Sequence, residues 1–237
     1  MRIFALSPRL QSVADLVPPG ARFADVGTDH AYLPVWLILK GVIRRAIASD
    51  LREGPLDRAR QTAQRYGAAE RMSFRLCDGL DRIGPDEADT IAIAGMGGET
   101  IAQILAAAPW TAEGERRFLL QPMTAHPELR AWLNSHNFRI EREFLSCEGT
   151  TIYSTFLVAP GRDEPLTPAE AWAGRQEPGI DAPLRGQYLE KLVRRAERAV
   201  AGIRRSARPE DAARREELER AAAGLKKMRE EWETWQR

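Results

Sequence analysis

The chain has 237 residues, 43% of them hydrophobic and 29% charged, a balance that suits a folded globular protein and excludes a disordered one. No apolar run is long enough for a spanning helix, and the start lacks a signal-peptide pattern, so a cytoplasmic protein with no membrane role is expected. Cys77 and Cys147 supply neither a disulfide framework nor zinc-ligand spacing, and no metal is expected. The net charge of +1 is unevenly spread: residues 184–237 hold 15 basic and 10 acidic side chains, the rest 20 and 24. A basic appendage on a mildly acidic body can attract a polyanion, although a solvated helical surface reads equally well from the count alone.

Residues 7–17 read as a short helix, with Ser7 as N-cap and Pro8 in its first position. Pro18, Pro19 and Gly20 end it. Apolar runs at 22–26, 46–49, 72–76, 90–94 and 118–121 then alternate with helical patterns near 31–40, 55–67, 98–108 and 126–136. Strands separated by helices imply parallel pairing through right-handed crossovers. Residues 138–146 and 151–158 read instead as a hairpin around Gly149. The fold class expected is a doubly wound, Rossmann-like α/β sheet closed by an antiparallel pair.

Residues 161–183 are rich in Pro and Gly and are expected to link this domain, 1–160, to a tail at 184–237, with a brief helix at 169–175 on the way. In the tail, Leu189, Leu192, Ala196, Ala199 and Ile203 step by three and four. So do Leu218, Ala221, Leu225, Met228, Trp232 and Trp235. Two heptad seams joined by a short turn at 206–209 predict an antiparallel helical hairpin, a coiled coil with the seams face to face. Trp232 and Trp235 are expected to pack near its open end, with base stacking as the weaker alternative.

The chemistry begins at Asp25-Val26-Gly27-Thr28-Asp29-His30, between an apolar strand and a helix, where doubly wound folds bind nucleotide-like ligands. Gly27 allows the tight turn. A dinucleotide fingerprint would have a glycine where Asp29 stands, and a pyrophosphate at a helix N-terminus tolerates no nearby anion. Asp29 therefore argues against a nicotinamide dehydrogenase and for a ligand carrying positive charge, such as S-adenosylmethionine. Asp50-Leu51 ends the second strand at the distance where an acidic residue accepts ribose hydroxyls. Asp78-Gly79-Leu80 closes the third. Gly95-Met96-Gly97-Gly98 ends the fourth with a bare backbone past which a flat base can slide. Gln121-Pro122 closes the fifth, either to offer an amide to that base or simply to end the strand.

Together ADVGTDHAYLP, SDLREGP, CDGL, IAGMGG and LLQP, with the opening LSPRLQSVADLVPPG, resemble the bacterial tRNA (adenine(22)-N(1))-methyltransferase family over roughly residues 6–160. The helical tail is similar too. The resemblance implies an enzyme, a tRNA (adenine-N1)-methyltransferase that uses S-adenosyl-L-methionine and has tRNA as its partner. It puts the cofactor site at Asp25, Gly27, Asp29, Asp50, Leu51, Asp78, Gly79, Leu80, Gly95 and Met96. In this family Asp78 would take the amine of the cofactor adenine. Asp29 and His30 match an Asp-His pair beside the cofactor and are the candidate proton acceptors. Gly97, Gly98, Gln121 and Pro122 would face the target base. Arg194, Arg195, Arg198, Arg204 and Arg205, with Arg214 and Arg215, can reach RNA phosphates. Met123 departs from the Asn common in the family, and recognition there is expected to differ. A monomer is expected. The alternatives are a methyltransferase acting on another RNA or a small molecule, and a non-catalytic protein that uses its hairpin to recruit a partner.

Overall fold

The computed structural model describes residues 3–180, 182–204, 208 and 211–236. Helix α1 (Pro8–Ala14) starts as its sequence predicts. The Ser7 side chain accepts a hydrogen bond from the Leu10 N–H, and Pro8 occupies a position that needs no donor. The chain then alternates β1 (Phe23–Val26), α2 (Tyr32–Leu39), β2 (Ala46–Asp50), α3 (Glu53–Arg65), β3 (Met72–Leu76), β4 (Thr90–Gly97), α4 (Gly98–Ala107), β5 (Arg117–Thr124) and α5 (His126–Ser135). It closes with β6 (Phe138–Glu148), β7 (Thr151–Pro160), α6 (Pro168–Ala173), α7 (Arg185–Ile203) and α8 (Asp211–Trp235).

The seven strands form one sheet in the order β3-β2-β1-β4-β5-β7-β6. The first five are parallel, and β7 runs antiparallel to both β5 and β6. The order reverses between β1 and β4, which opens a crevice at the carboxyl ends of those strands. Two cores cover the sheet faces. Ile101 and Leu105 of α4 and Leu129 and Leu133 of α5 pack against Ile91, Ile93 and Phe118. On the other face Val13 of α1, Leu37 and Ile38 of α2 and Ala59 and Ala63 of α3 pack around Phe23.

A third core joins the tail to the sheet edge. Tyr188, Leu189, Leu192, Ala196, Leu225, Met228 and Trp232 pack with Ala169 and Ala173 of α6 and with Leu145 and Ile152 of the β6–β7 hairpin. The buried face of α7 is wider than a single heptad seam, taking in Val193 and Val200, because α7 packs against both α8 and the sheet edge. Pairing of Glu197 with Lys226 and of Arg204 with Glu219, one heptad apart in opposite directions, sets the two helices antiparallel. Trp232 is buried in this core and Trp235 lies more exposed beside it. The predicted turn at 206–209 falls outside the described residues except for Arg208.

Buried polar groups fasten this arrangement. Arg130 of α5, with no solvent exposure, donates to both Glu143 carboxylate oxygens at 2.9 and 2.7 Å and to the carbonyls of Ala171 and Trp172. Its guanidinium also lies 4.6 Å from the Phe156 ring centroid. Arg185 donates to the carbonyls of Ala173 and Gly174. The stretch 161–183 thus carries α6 and anchors it to the domain on one side and to the tail on the other. No described helix is long and apolar enough to cross a membrane.

Candidate active site

The β1–α2 turn leans toward β2: the N–H groups of Gly27 and Thr28 both donate to the Ser49 carbonyl, at 2.8 and 2.9 Å. Gly27 has φ +76°, and a Cβ there would collide with the Met96 side chain, which lies across the turn. Thr28 is buried, and its hydroxyl accepts the Ala31 N–H at 3.0 Å, steadying Ala31 in a left-handed conformation at the start of α2.

Asp25 is buried at the end of β1. Burial pushes its carboxyl up to about 6, the Thr28 hydrogen bond opposes that rise, and the nearby charge of Asp50 adds to it. Asp50 ends β2 and accepts the Arg52 N–H at 2.8 Å through one oxygen. Two acidic acceptors thus stand at adjacent strand ends, and the buried one forms no ion pair among the described residues. Such a pair suits an ammonium group and ribose hydroxyls and repels a diphosphate. Beyond β3, Gly79 takes φ +49° against Ile104, while Asp78 is exposed. The two leucines assigned to the cofactor separate: Leu51 is exposed and Leu80 is buried in the sheet core.

Asp29 differs from its sequence expectation in one respect. Its carboxylate is paired with Arg58 of α3, whose Nε lies 3.1 Å away, so the anion in the turn is partly neutralised. The other oxygen lies 3.4 Å from His30 Nε2, and the His30 ring stacks on Tyr32. Asp29 and His30 therefore form one cluster with Arg58, a residue that sequence reasoning did not single out.

At the end of β4 the strand bulges. Ala94 pairs with Gln121 and Met96 with Pro122, leaving Gly95 without a ladder partner, at φ +80°. The Gly95 N–H is taken instead by the side-chain oxygen of Gln121 at 3.1 Å, and Pro122 has no N–H to contribute. Gln121 is fully buried, and its NH2 donates to the Pro122 carbonyl. Its amide is thereby engaged in shaping the glycine loop. Pro122 is buried as well. Gly98 lacks a side chain because α4 packs tightly on α5: a Cβ there would stand 2.5 Å from the Ala125 carbonyl. Gly97 caps α4 beside Thr124.

From Met123 a groove of about 850 Å³ runs between α5 and α7. His126, Ile152, Trp172, Tyr188 and Leu192 line it, and Lys191, Arg194, Arg195 and Arg198 rim it. Burial and the charges of Arg130 and Arg195 push the His126 imidazole down to about 4, so it is neutral at neutral pH. Arg195 lies over the Trp172 ring, and Arg194 pairs with Glu190. Arg204 pairs with Glu219 away from the groove, Arg214 and Arg215 are exposed on α8, and Arg205 lies outside the described residues. No cluster of metal ligands occurs among the described residues.

A sheet of this order, with acidic residues at the ends of its first two strands and a bare glycine loop at the fourth, defines a methyltransferase of the Rossmann-like class. Residues 6–156 match the family model for a methyltransferase domain. The chain belongs to the tRNA (adenine(22)-N(1))-methyltransferase family. It is 38% identical over 161 residues to the protein of that name from Bacillus subtilis strain 168, covering 68% of each chain. The structure of the B. subtilis M1A22 tRNA methyltransferase TrmK superposes with a TM-score of 0.84 at 29% identity, covering 95% of this chain and 99% of that one. Streptococcus pneumoniae Sp1610, solved in complex with S-adenosyl-L-methionine, superposes with a TM-score of 0.80 at 31% identity, covering 95% and 100%.

Proposed function

We propose that this protein methylates N1 of adenine 22, in the D-arm of tRNA, using S-adenosyl-L-methionine. The carrying observation is the bulged glycine loop at the end of β4, held open by Gln121 next to the acidic ends of β1 and β2. When bound, S-adenosylmethionine supplies a methyl group made electrophilic by a positively charged sulfur. Asp25 would accept its ammonium and Asp50 its ribose hydroxyls, with Gly27 and Gly79 clearing space and Met96 against the turn.

The residues around the loop need supply no nucleophile, because the lone pair of adenine N1 lies in the ring plane. Their work is to align and to exclude water, which can be worth roughly 7–11 kcal/mol. The methylated ring stays cationic until it loses an N6 proton, and Asp29 or His30 would stabilise that charge and take the proton. The target base must leave its stack to enter. The basic rim of the α5–α7 groove, with Arg194, Arg195 and Arg198, would hold phosphates beside the mouth without reading sequence. A cytoplasmic monomer without a metal belongs to the same reading.

The test is incubation with labelled cofactor and, in parallel, bulk tRNA or ribosomal RNA, digestion to nucleosides and mapping of the modified position. Label in 1-methyladenosine at position 22 is expected. Label in another nucleoside, in ribosomal RNA alone or nowhere would overturn the proposal.

A further inference from the structure

We propose that Arg9 binds a phosphate flanking the target adenosine, an inference that rests on the tRNA reading above. Arg9 comes from α1, whose sequence is part of the family resemblance but carries none of the site residues assigned from it. The helix is pinned against the sheet-edge hairpin at both ends. The Arg9 N–H donates to the Glu148 carboxylate at 2.9 Å, and the hydroxyls of Ser12 and Thr155 meet at 2.9 Å. From this fixed base the Arg9 guanidinium reaches the glycine loop. Its Nη1 donates to the Gln121 side-chain oxygen at 2.7 Å, and the same nitrogen lies 3.5 Å from where a Cβ on Gly95 would stand. Its carbon sits 5.9 Å from the centroid of the Tyr153 ring.

The guanidinium thus stands at the methyl-transfer mouth and is oriented by a neutral acceptor. Among the described residues no carboxylate pairs with it, whereas Arg58, Arg75, Arg130 and Arg175 all have acidic partners. The Glu148 carboxylate is hydrogen-bonded by Ser7 and by the Arg9 backbone at the helix start, and these bonds, with a smaller contribution from the Arg9 charge, hold it below the usual carboxylate range without a direct ion pair to the guanidinium. A guanidinium has five N–H donors, and Gln121 takes one. The remaining fork matches a phosphate.

Charge favours phosphate over the base itself. The methylated adenine is cationic until it loses a proton, and a guanidinium beside it with no directly paired carboxylate would oppose that charge. A bound phosphate cancels the guanidinium and leaves the ring without a like charge next to it. Gln121 then has two linked tasks, since one oxygen shapes the Gly95 bulge and orients Arg9. The position of the loop and the grip on the nucleotide are coupled through that atom.

The experiment compares the wild-type protein with Arg9→Ala and Arg9→Lys. Each is tested on tRNA and on tRNA carrying a neutral methylphosphonate at one or the other phosphate flanking the target adenosine. Arg9→Ala is expected to lower kcat/KM by about tenfold to a hundredfold, the range for a lost charge-assisted hydrogen bond. Cofactor affinity by calorimetry should stay within about twofold. Arg9→Lys, which keeps the charge and one donor but loses the fork, should fall between. At one of the two positions the methylphosphonate should cost the wild type as much as the Ala change does, and cost the Ala variant nothing more. Losses that multiply independently at both positions would overturn the proposal, and so would a fall in cofactor affinity that matches the fall in turnover for both variants. A wild-type protein that transfers no methyl group to tRNA would instead remove the underlying reading, and the proposal with it.

Discussion

The Met96 side chain lies where a side chain on Gly27 would stand, so the bulged end of β4 lies over the turn after β1 only because that turn is bare. Gly27→Ala adds a methyl group into Met96 and forces a left-handed backbone on alanine at φ +76°. Either the Met96 loop or the turn must move, and both border the proposed cofactor cleft. S-adenosylmethionine affinity should fall at least tenfold by calorimetry, while the sheet, whose core is untouched, should keep its far-ultraviolet circular dichroism. Undiminished affinity would place the cofactor elsewhere.

Asp25 carries a measurable cost of burial. Its carboxyl is raised from 3.8 to about 6 in the folded chain, so the folded state holds the proton more tightly than the unfolded one. The sign follows from linkage: the stability associated with the protonated form is complete below about 3.8 and is lost as pH rises through about 6. A rise of that size corresponds to about 3 kcal/mol. In denaturant melts of the ligand-free protein, Asp25→Asn should remove that part of the pH dependence and stabilise the fold near pH 7 by a similar amount. The same variant should bind cofactor weakly. An Asp25→Asn variant no more stable than wild type at pH 7 would contradict this account.

Asp29 is exposed and already paired with Arg58, so its removal leaves the core intact. If it stabilises the charge that develops on the methylated base, Asp29→Ala should cut kcat by about tenfold or more with little change in cofactor Kd. An equal loss in both would make it a binding residue.

The fold was legible because its strands are short apolar runs placed between helical periods, and because Pro8, Ser7 and Gly149 mark real starts and turns. The strand ends Asp25, Gly27 and Asp50 were legible for the same reason: a doubly wound sheet brings successive strand termini together. Partners distant in sequence were not. Nothing in the spacing of Asp29 and Arg58 announces their pairing across two elements, and Arg9 reaches Gln121 over 112 positions. The part of Gln121 in holding the Gly95 bulge was not legible either, because a bulge leaves no signature beyond the glycine itself. The buried Arg130 looked like one more arginine, since burial depends on α6 and β6 closing over it.

Arg130 and Glu143 make the seam between domain and tail sensitive to single changes. Both are largely withdrawn from solvent and hydrogen-bonded to each other twice. Removing one partner strands the other's charge, at a cost of about 3–5 kcal/mol. Glu143→Gln keeps the shape and still leaves the guanidinium uncompensated, so it should lower stability in urea melts by about that much. A change under about 1 kcal/mol would show that water reaches the seam.

The α5–α7 groove predicts a specific ionic-strength signature. Arg195 and Arg198 rim it, and neither forms an ion pair among the described residues. Each phosphate neutralised by such a side chain contributes roughly 0.7–0.9 to the slope of log affinity against log salt. The double change Arg195→Ala and Arg198→Ala should therefore weaken tRNA binding most at low salt and reduce the slope by about 1.4–1.8. Deleting the whole tail would be a poorer test, because Leu145 and Ile152 of the sheet edge pack against it and would be laid bare. Arg214→Ala, on the outer helix and away from the groove, is the internal comparison and should change the slope less. If the two arginines can be removed without altering the slope while methyl transfer to tRNA persists, the RNA crosses another face and the groove serves only to join the tail to the sheet.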